Sequence, residues 1–405
     1  MNIKEARADL VEGTTTTHID LFSLVEESRT RSQRELAKMI EARQERLIME
    51  LCGPRYSRAY PYKRGGSYTK NLVTPIGAIK FRVKKVINRQ TGKGSSPILK
   101  LIDVKKRRYS RGIRIACAEY ASKMSYGDAS LEYETGTGIK VPKRTIHTWV
   151  KEIAPLLLGS YSKAREAEPE PETVLAIGDS TVVRCMGEGE MNQVRVLING
   201  EGDLLCLKVN EPWPEMKVDI LVSDDEPGLA ERIEAEWHQL CVLHAAKRLG
   251  FILWGDKMSL EERKIALDAV RGPLMTLVHS VEKHRLDGDM DRVRWRTDWT
   301  LGMLHEAALD LRDRGLRKAF EYVENHAGLL VTFAELALEG IEVPYTTNLV
   351  ERLMGEVAKR CKNKWMHWGT EGLRCVLIFV LVRYSDEEMY ERFKKAYIHN
   401  MAFTY

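Results

Sequence analysis

The order of apolar and polar positions divides the chain into a helical start, a basic hairpin, a helix cluster and a longer α/β remainder. Leu21, Leu24, Val25, Leu36, Met39, Ile40, Leu47 and Ile48 recur at helical spacing among Arg and Glu. This predicts a helix over 18–51, ended by Gly53-Pro54, that packs or dimerises through its apolar stripe. Residues 66–88 hold two β-prone runs around Thr74-Pro75-Ile76-Gly77 and predict a hairpin. Lys80, Arg82 and Lys84 alternate there with Ile79, Phe81 and Val83, so one strand face is basic and the other apolar. Over 112–158 the pattern predicts three helices: Ile113 to Met124, Ala129 to Glu134, and one started by Pro142, with Gly136 and Gly138 as breakers. In the third, Ile146, Trp149, Val150 and Ile153 face inward. Lys143, Arg144, Thr145, His147 and Thr148 stay at its exposed N-terminal end, as in the recognition helix of a helix-turn-helix. An ordinary three-helix bundle is the plainer alternative.

The Glu/Pro-rich run REAEPEPET, 165–173, reads as a linker. Beyond it the expected strands are Val174 to Gly178, Gln193 to Asn199, Asp203 to Asn210 and Val218 to Val222, with the turn Asn199-Gly200-Glu201-Gly202 inside. A helix is expected from Gly228 to Trp237, and another after Leu240–His244, to about Trp254. Residues 255–340 read as almost wholly helical, with a capping box at Ser259–Glu262, a break at Gly272-Pro273 and a turn at Asp287-Gly288-Asp289. A late helix starts near Thr346-Thr347-Asn348, and the apolar segment Leu373 to Tyr384 closes the core. No fixed-period repeat occurs.

Composition adds limits. The 405 residues are 44% hydrophobic and 30% charged, which excludes a largely disordered or fibrous chain and suits two or three domains. The longest apolar run, Val376 to Val382, is seven residues, short of the ~18 that span a bilayer. The opening MNIKEARADL lacks a basic stretch followed by an apolar core, so no secretory leader is expected. Seven scattered cysteines make no disulfide framework and point to a reducing cytoplasm. The net charge of +5 conceals an asymmetry: residues 51–120 carry 18 Lys/Arg against two acids, +16, leaving −11 elsewhere. Such a segment suits a polyanion, and Lys84, Lys85, Lys105, Lys106, Arg107 and Arg108 are its candidate DNA contacts, with a solvated basic face as the plainer reading.

Two acids, Asp179 and Asp224, stand at expected strand ends, and Glu351 stands in the first turn of a late helix capped by Thr347 or Asn348. Strand ends and a helix start can converge on one rim of a sheet, where three carboxylates repel unless cations neutralise them. Hard oxygen donors select Mg²⁺ or Mn²⁺, and two such ions suit phosphoryl transfer. Acids are also common at these places in folds without any site, so spacing alone leaves a structural role open. Cys241-x-x-His244 could begin a zinc site but has no second ligand pair, so a buried Cys with a hydrogen-bonded His is the plainer reading. Trp295 and Trp299 read as a packing face rather than a base-stacking pair. Trp365, His367 and Trp368 lie beside Lys359, Arg360, Lys362 and Lys364 and read either as DNA contacts or as a seat for the last helix. No P-loop, dinucleotide fingerprint or nucleophile elbow occurs.

The succession VLAIGDSTVV, ILVSDDEPGL, QLCVLHAAKRL and TTNLVERLMGEVAKRCKNKWMHWGTEGL, with the basic half before it, resembles the Mutator-like group of prokaryotic insertion-sequence transposases. The resemblance covers most of the chain. Its strongest piece is Thr346-Thr347-Asn348-x-x-Glu351, followed by Lys359-Arg360 and Trp368-x-x-x-Gly372. It implies an RNase H-like catalytic domain with an all-helical insertion, behind a basic hairpin and helix-turn-helix region. The implied catalytic and metal-binding triad is Asp179, Asp224 and Glu351, with Asp225 as the alternative second acid. Cys241 and His244 match a family element with a site-shaping role. One departure is that the segment Glu211 to Lys217, with Pro212 and Pro214, is too short for the helix usual between the third and fourth strands, so the sheet is expected to be uncovered or differently covered there.

The domain expectation runs: helical region 1–53, basic DNA-binding region 54–162, linker 163–172, catalytic domain 173–254 and 341–385 around the insertion 255–340, tail 386–405. The expected function is a transposase that binds element ends, cuts them with two Mg²⁺ or Mn²⁺ ions, and joins the 3′-hydroxyls to target DNA. It would work as a dimer or larger assembly, without nucleotide cofactor or membrane. A structure-specific nuclease of the same fold and a non-catalytic DNA-binding regulator are the rival readings.

Overall fold

The computed structural model describes residues 20–104, 108–167, 173–184, 186, 191–226, 228–362 and 367–399. The chain is mixed α/β and divides into two units: Met1–Tyr120 with Gly127–Ile146, and Ala121–Tyr126 with His147–Tyr405. Among the described residues no helix is long and apolar enough to cross a membrane.

The first unit is built on helix α1 (Leu21–Cys52) and a three-stranded antiparallel sheet of β1 (Tyr62–Thr74), β2 (Gly77–Asn88) and the short β3 (Gly94–Ser95). The hairpin closes where expected: Thr74 pairs with Gly77, whose φ of 120° is left-handed, and the Thr74 hydroxyl donates to the Gly77 carbonyl at 2.8 Å. The alternation in β2 is also as expected. Ile79, Phe81 and Val83 are buried against Leu72, Ile98, Leu99 and Val104, while Lys80 and Arg82 face out. The α1 stripe is used only from Leu36 onward: Leu36, Ala37 and Ile40 pack on this cluster and Ile48 and Cys52 on Val86, while Leu21, Leu24 and Val25 before it, and Met39 within it, are exposed.

β3 pairs with Val86 and Ile87, and among the described residues the outer edge of β2 before them has no strand partner. Helix α1 supplies one in side chains. The buried Gln44 amide donates to the Arg82 carbonyl (2.9 Å) and accepts from the Lys84 amide (2.8 Å), and Glu41 accepts from the Arg82 amide (2.7 Å). A side-chain amide thus replaces a neighbouring strand and closes an edge open to aberrant pairing. After α2 (Pro97–Leu101) come α3 (Arg111–Lys123), α4 (Tyr126–Thr137) and α5 (Lys143–Glu166). Gly138, at φ 68°, ends α4 in the left-handed conformation that glycine tolerates. Ile146, Trp149, Val150 and Ile153 of α5 are buried, as their spacing requires.

The second unit holds a five-stranded sheet: β4 (Leu175–Arg184), β5 (Met191–Asn199), β6 (Leu204–Val209), β7 (Met216–Ser223) and β8 (Ile233–Leu240), in the order β6-β5-β4-β7-β8. The first three form an antiparallel meander; β7 lies parallel to β4, and β8 parallel to β7. Helices α6 (Val242–Gly255), α7 (Leu260–Asp287), α8 (Met290–Asp313) and α9 (Arg317–Leu338) follow. Then come α10 (Asn348–Cys361), which packs on β4 and β5, α11 (Thr370–Ser385) on β6, and α12 (Glu387–His399).

Several expectations are corrected. Residues 233–240, expected mostly as helix, form β8. Ala, Glu and Arg favour a helix locally, but IEAEWHQL also alternates with period two, and parallel pairing with β7 overrides propensity. Gly272-Pro273 does not interrupt α7; Pro273 is buried with Val270, Leu274, Leu277 and Val278, and their burial outweighs one lost hydrogen bond. β4 does not end before Asp179 but continues to Arg184, paired throughout with β5. α5 continues to Glu166, where Arg165 is anchored by Asp203 (2.8 Å) and Asp386 (3.0 Å) and lies over the Tyr161 ring. Between β6 and β7 an extended loop covers the sheet, as the short segment implied: Trp213, 2% exposed, packs with Ala176, Leu197, Leu221, Leu229 and Ile233.

If the Gln44 amide closes the sheet edge, Gln44→Leu keeps the side-chain volume but leaves the Lys84 amide unpaired. Losing a buried partner costs about 1–3 kcal/mol. Hydrogen exchange at the Lys84 amide should therefore accelerate roughly tenfold or more; an unchanged rate would show that the edge is protected by something else.

Candidate active site

The last residue pair joining β4 to β7 is Gly178 with Ser223. The next residues on the two parallel strands are Asp179 and Asp224, so their adjacency follows from register. Gly178 faces the Trp213 side of the sheet, where an added Cβ would lie 3.1 Å from Leu229 and 3.2 Å from Leu197, so only glycine fits without displacement. Alternation then turns Asp179 to the opposite face, where α10 packs.

Glu351 reaches the same place from the first turn of α10. The preceding segment is tied to the start of α6 by the Val242 amide donating to the Tyr345 carbonyl at 3.1 Å. Thr347 occupies the N-cap position of α10, yet its hydroxyl makes no capping bond. It is fully buried, donates to Glu351 Oε1 at 2.9 Å, and lies 3.2 Å from His244 Nδ1. His244 comes from the first turn of α6, after Cys241 at its N-cap.

One pocket of about 510 Å³ collects Asp179, Asp224, Asp225, His244 and Glu351, with Lys247, Arg248 and Lys362 adding positive charge. Burial, reinforced by Asp224, pushes the Asp179 carboxyl up to about 7. Burial also raises Asp224, whose Oδ1 is buried without a hydrogen-bond partner. His244 is pushed up to about 9, chiefly by its bond with Cys241, and so carries positive charge at neutral pH. Burial drives the Cys241 thiol up, but the bonds to His244 and Thr347 outweigh it and hold the thiol below its ordinary value. Lys362 Nζ donates to the Thr181 hydroxyl on the same face.

The three expected acids therefore share one pocket. The tight ligand set among the described residues is a different one: atoms of Cys241, His244 and Glu351 lie within 4.8 Å of one another. Glu351 is drawn to the Thr347 hydroxyl and, at 3.8 Å, to the His244 imidazole. A thiol, an imidazole and a carboxylate are the donor types of a softer ion such as Zn²⁺, which would have to displace the protons of Cys241 and His244, whereas Asp179, Asp224 and Glu351 offer only hard oxygens. Asp225 lines the pocket too, but its carboxylate lies 3.7 Å from His326 Nε2 on α9.

Several residues here were not anticipated. Glu226, on the Trp213 side, is bonded by Gln193 at 3.3 Å, lies 3.8 Å from Arg195, and is raised by burial. His238 on β8 meets the Ser223 hydroxyl at 2.8 Å. Glu226 directly follows the Asp224-Asp225 pair in sequence, and nothing local distinguished Lys247 or Arg248; Thr347 was expected only as a cap of the late helix, and its bond to Glu351 was not.

The expected DNA contacts are dispersed. Lys84 is paired with Glu45, and Lys85 lies over the Tyr68 ring at 5.3 Å. Lys105, Lys106 and Arg107 lie outside the described residues, and Arg108 is exposed. Lys143 and Arg144 are exposed and Thr145 is half-buried. His147 is also half-buried, edge-on to Tyr126 at 5.2 Å. Lys359 is exposed and paired with Glu356 at 2.6 Å. Arg360 departs from expectation. It is 4% exposed, donates to the Ala121 carbonyl near the end of α3 and lies over Trp368, so it serves as a helix C-terminal partner and not as a phosphate contact. Trp368 is buried and donates to the Cys361 carbonyl, seating the chain between α10 and α11; Lys364 and Trp365 lie outside the described residues. Trp295 and Trp299 do not form a packing face: Trp295 is 57% exposed, Trp299 half-buried, and Arg296 lies 4.8 and 4.9 Å from their rings.

The raised Asp179 gives a pH signature. Its proton is favoured in the folded state, so the charge costs nothing well below its ordinary value of 3.8 and its full penalty above about 7. Asp179→Asn should accordingly match the wild type near pH 4 and exceed it increasingly up to pH 8 without divalent metal, by about 2 °C or more in unfolding temperature. Differential scanning calorimetry checks this, and a pH-independent gap would refute the burial penalty.

No family model matches this chain, and no curated protein matches it either.

Proposed function

We propose that the chain is a metal-dependent DNA transposase of the Mutator-like kind, with an RNase H-like catalytic domain. The observation carrying this reading is that Asp179, Asp224 and Glu351, far apart in sequence, line one pocket in which an Asp224 oxygen has no protein partner. A buried, unpartnered carboxylate oxygen beside a second buried carboxylate fits an ion-binding role better than a structural one. The meander extended by two parallel strands, with the acids at their junction, supports the RNase H-like part. The all-helical run α7 to α9, between β8 and α10, supports the insertion. The basic hairpin and the exposed Lys143 and Arg144 support DNA binding.

Asp179, Asp224 and Glu351 would hold Mg²⁺ or Mn²⁺, with Asp224 favoured over Asp225 because Asp225 is turned toward His326. Bound there, the ions would supply charge neutralisation and an activated oxygen nucleophile for phosphodiester cleavage and strand joining. The protein's own part is positional. The register of β4 and β7 sets two carboxylates side by side. Thr347 orients Glu351, and protonated His244 balances its charge. Lys247, Arg248 and Lys362 give the pocket a cationic rim that attracts a phosphodiester. Cys241 shapes the site through His244.

The test uses a plasmid carrying the DNA that flanks the coding sequence on both sides. Wild type should nick it and join ends to a second DNA in Mg²⁺ or Mn²⁺. Asp179→Asn, Asp224→Asn and Glu351→Gln should each lower cleavage roughly a thousandfold, several kcal/mol of barrier, while gel-shift binding persists. Cleavage by Asp179→Asn at the wild-type rate would refute the assignment; cleavage without joining would reduce the protein to a nuclease.

Addition of Mg²⁺ or Mn²⁺ should raise the wild-type unfolding temperature at pH 8 and leave Asp179→Asn unmoved, because the ion binds the folded carboxylates. Equal shifts in both proteins would place the ion elsewhere.

A further inference from the structure

One face of α6 carries Leu243, Lys247, Phe251 and Trp254, at successive steps of four, four and three residues. Phe251 is 59% exposed and Trp254 66%, unusual for rings of this size. Leu260, 75% exposed, and Lys264 and Arg271 of α7 lie across from them and complete a groove. Asp268 is the one acid among the described residues lining it. Lys247, Lys264 and Arg271 are exposed and make no ion pair among the described residues. The groove runs into the carboxylate pocket, because Lys247 and Phe251 line both.

From this arrangement we infer that the α6–α7 groove is a binding site for unpaired nucleobases, holding a single-stranded stretch of the DNA whose phosphodiester enters the carboxylate pocket. Aromatic faces offer sequence-tolerant stacking, and the unpaired cations track the phosphates between stacked bases. Duplex DNA cannot use the rings, since its bases are already stacked and its edges, not its faces, are presented. A second copy of this chain, the other occupant an apolar groove could take, fits the cationic lining less well. The inference rests on reading the pocket as a phosphodiester site, but base stacking can be measured without cleavage.

The probe is oligo(dT) bearing a 5-iodouracil and a fluorescent end, with a hairpin duplex of equal length as comparison. Both are measured in EDTA with full-length Asp179→Asn protein. Photo-cross-links from the single strand should map to Phe251 or Trp254. Adding Phe251→Ala or Trp254→Ala should weaken oligo(dT) binding roughly tenfold each, with duplex binding and unfolding temperature unchanged. Trp254→Phe should restore most of the loss. Cross-links confined to other elements, or oligo(dT) affinity within twofold of the parent in the double alanine variant, would overturn the inference. So would loss of self-association in that variant, which would make a second copy the occupant. The cross-link needs no substitution in the groove, so a misfolded variant would not decide the matter. A chain that never cleaves DNA but cross-links through α6 would refute the transposase reading alone; cleavage without the cross-link would refute the groove alone.

Discussion

Two aspartates on neighbouring parallel strands, one position beyond the last pair that joins them, set the terms for the second unit. Burying a carboxylate is costly, and burial makes both Asp179 and Asp224 hold their protons more tightly; the Asp224 charge adds to this at Asp179, and Asp225 and Glu351 add to it at Asp224. The sheet can carry this arrangement because its surroundings are built around it. Gly178 removes the side chain that would displace Leu229. Trp213 and its loop pack over the other face. The starts of α6 and α10 bring a positive imidazole and a hydroxyl to the acidic side.

Thr347 shows how local stability is exchanged for site geometry. A threonine at the N-cap ordinarily bonds a free amide of its own helix. Here its buried hydroxyl joins Glu351 and His244, so α10 begins without a side-chain cap while a carboxylate and an imidazole are held in place. Arg360 makes the opposite exchange. A residue that looks like a surface cation in sequence is buried at the far end of the same helix, where it satisfies the Ala121 carbonyl and lies over Trp368. One helix thus offers its first turn to the pocket and its last to the core.

The cationic surroundings of the pocket come from several elements: Lys247 and Arg248 from α6, Lys362 from just beyond α10. Their agreement in sign around buried acids is what a polyanionic substrate needs, since it offsets phosphate repulsion without removing the acids. The exposed rings of α6 extend the same surface. The pairing of a hard-oxygen site with a positive, partly aromatic approach is the physical basis of the proposal that this unit acts on nucleic acid.

Much of the architecture was legible along the chain because it is locally encoded. The hairpin at Thr74–Gly77, the capping box at Ser259–Glu262 and the left-handed Gly288 each depend on residues a few positions apart. The three acids were legible as candidates from their placement beside apolar runs. Other features were decided only by contacts between distant segments. Whether 233–240 became helix or strand depended on β7, whether Pro273 broke α7 depended on what packed around it, and whether Arg360 faced solvent depended on Ala121. The grouping of Glu351 with His244 and Cys241, more tightly than with the two aspartates, likewise arose from where α6 and α10 begin. Propensity and periodicity act over one or two turns of chain, and they determined the elements. Burial, register and charge balance act between segments a hundred or more residues apart, and only the folded chain brings those segments together.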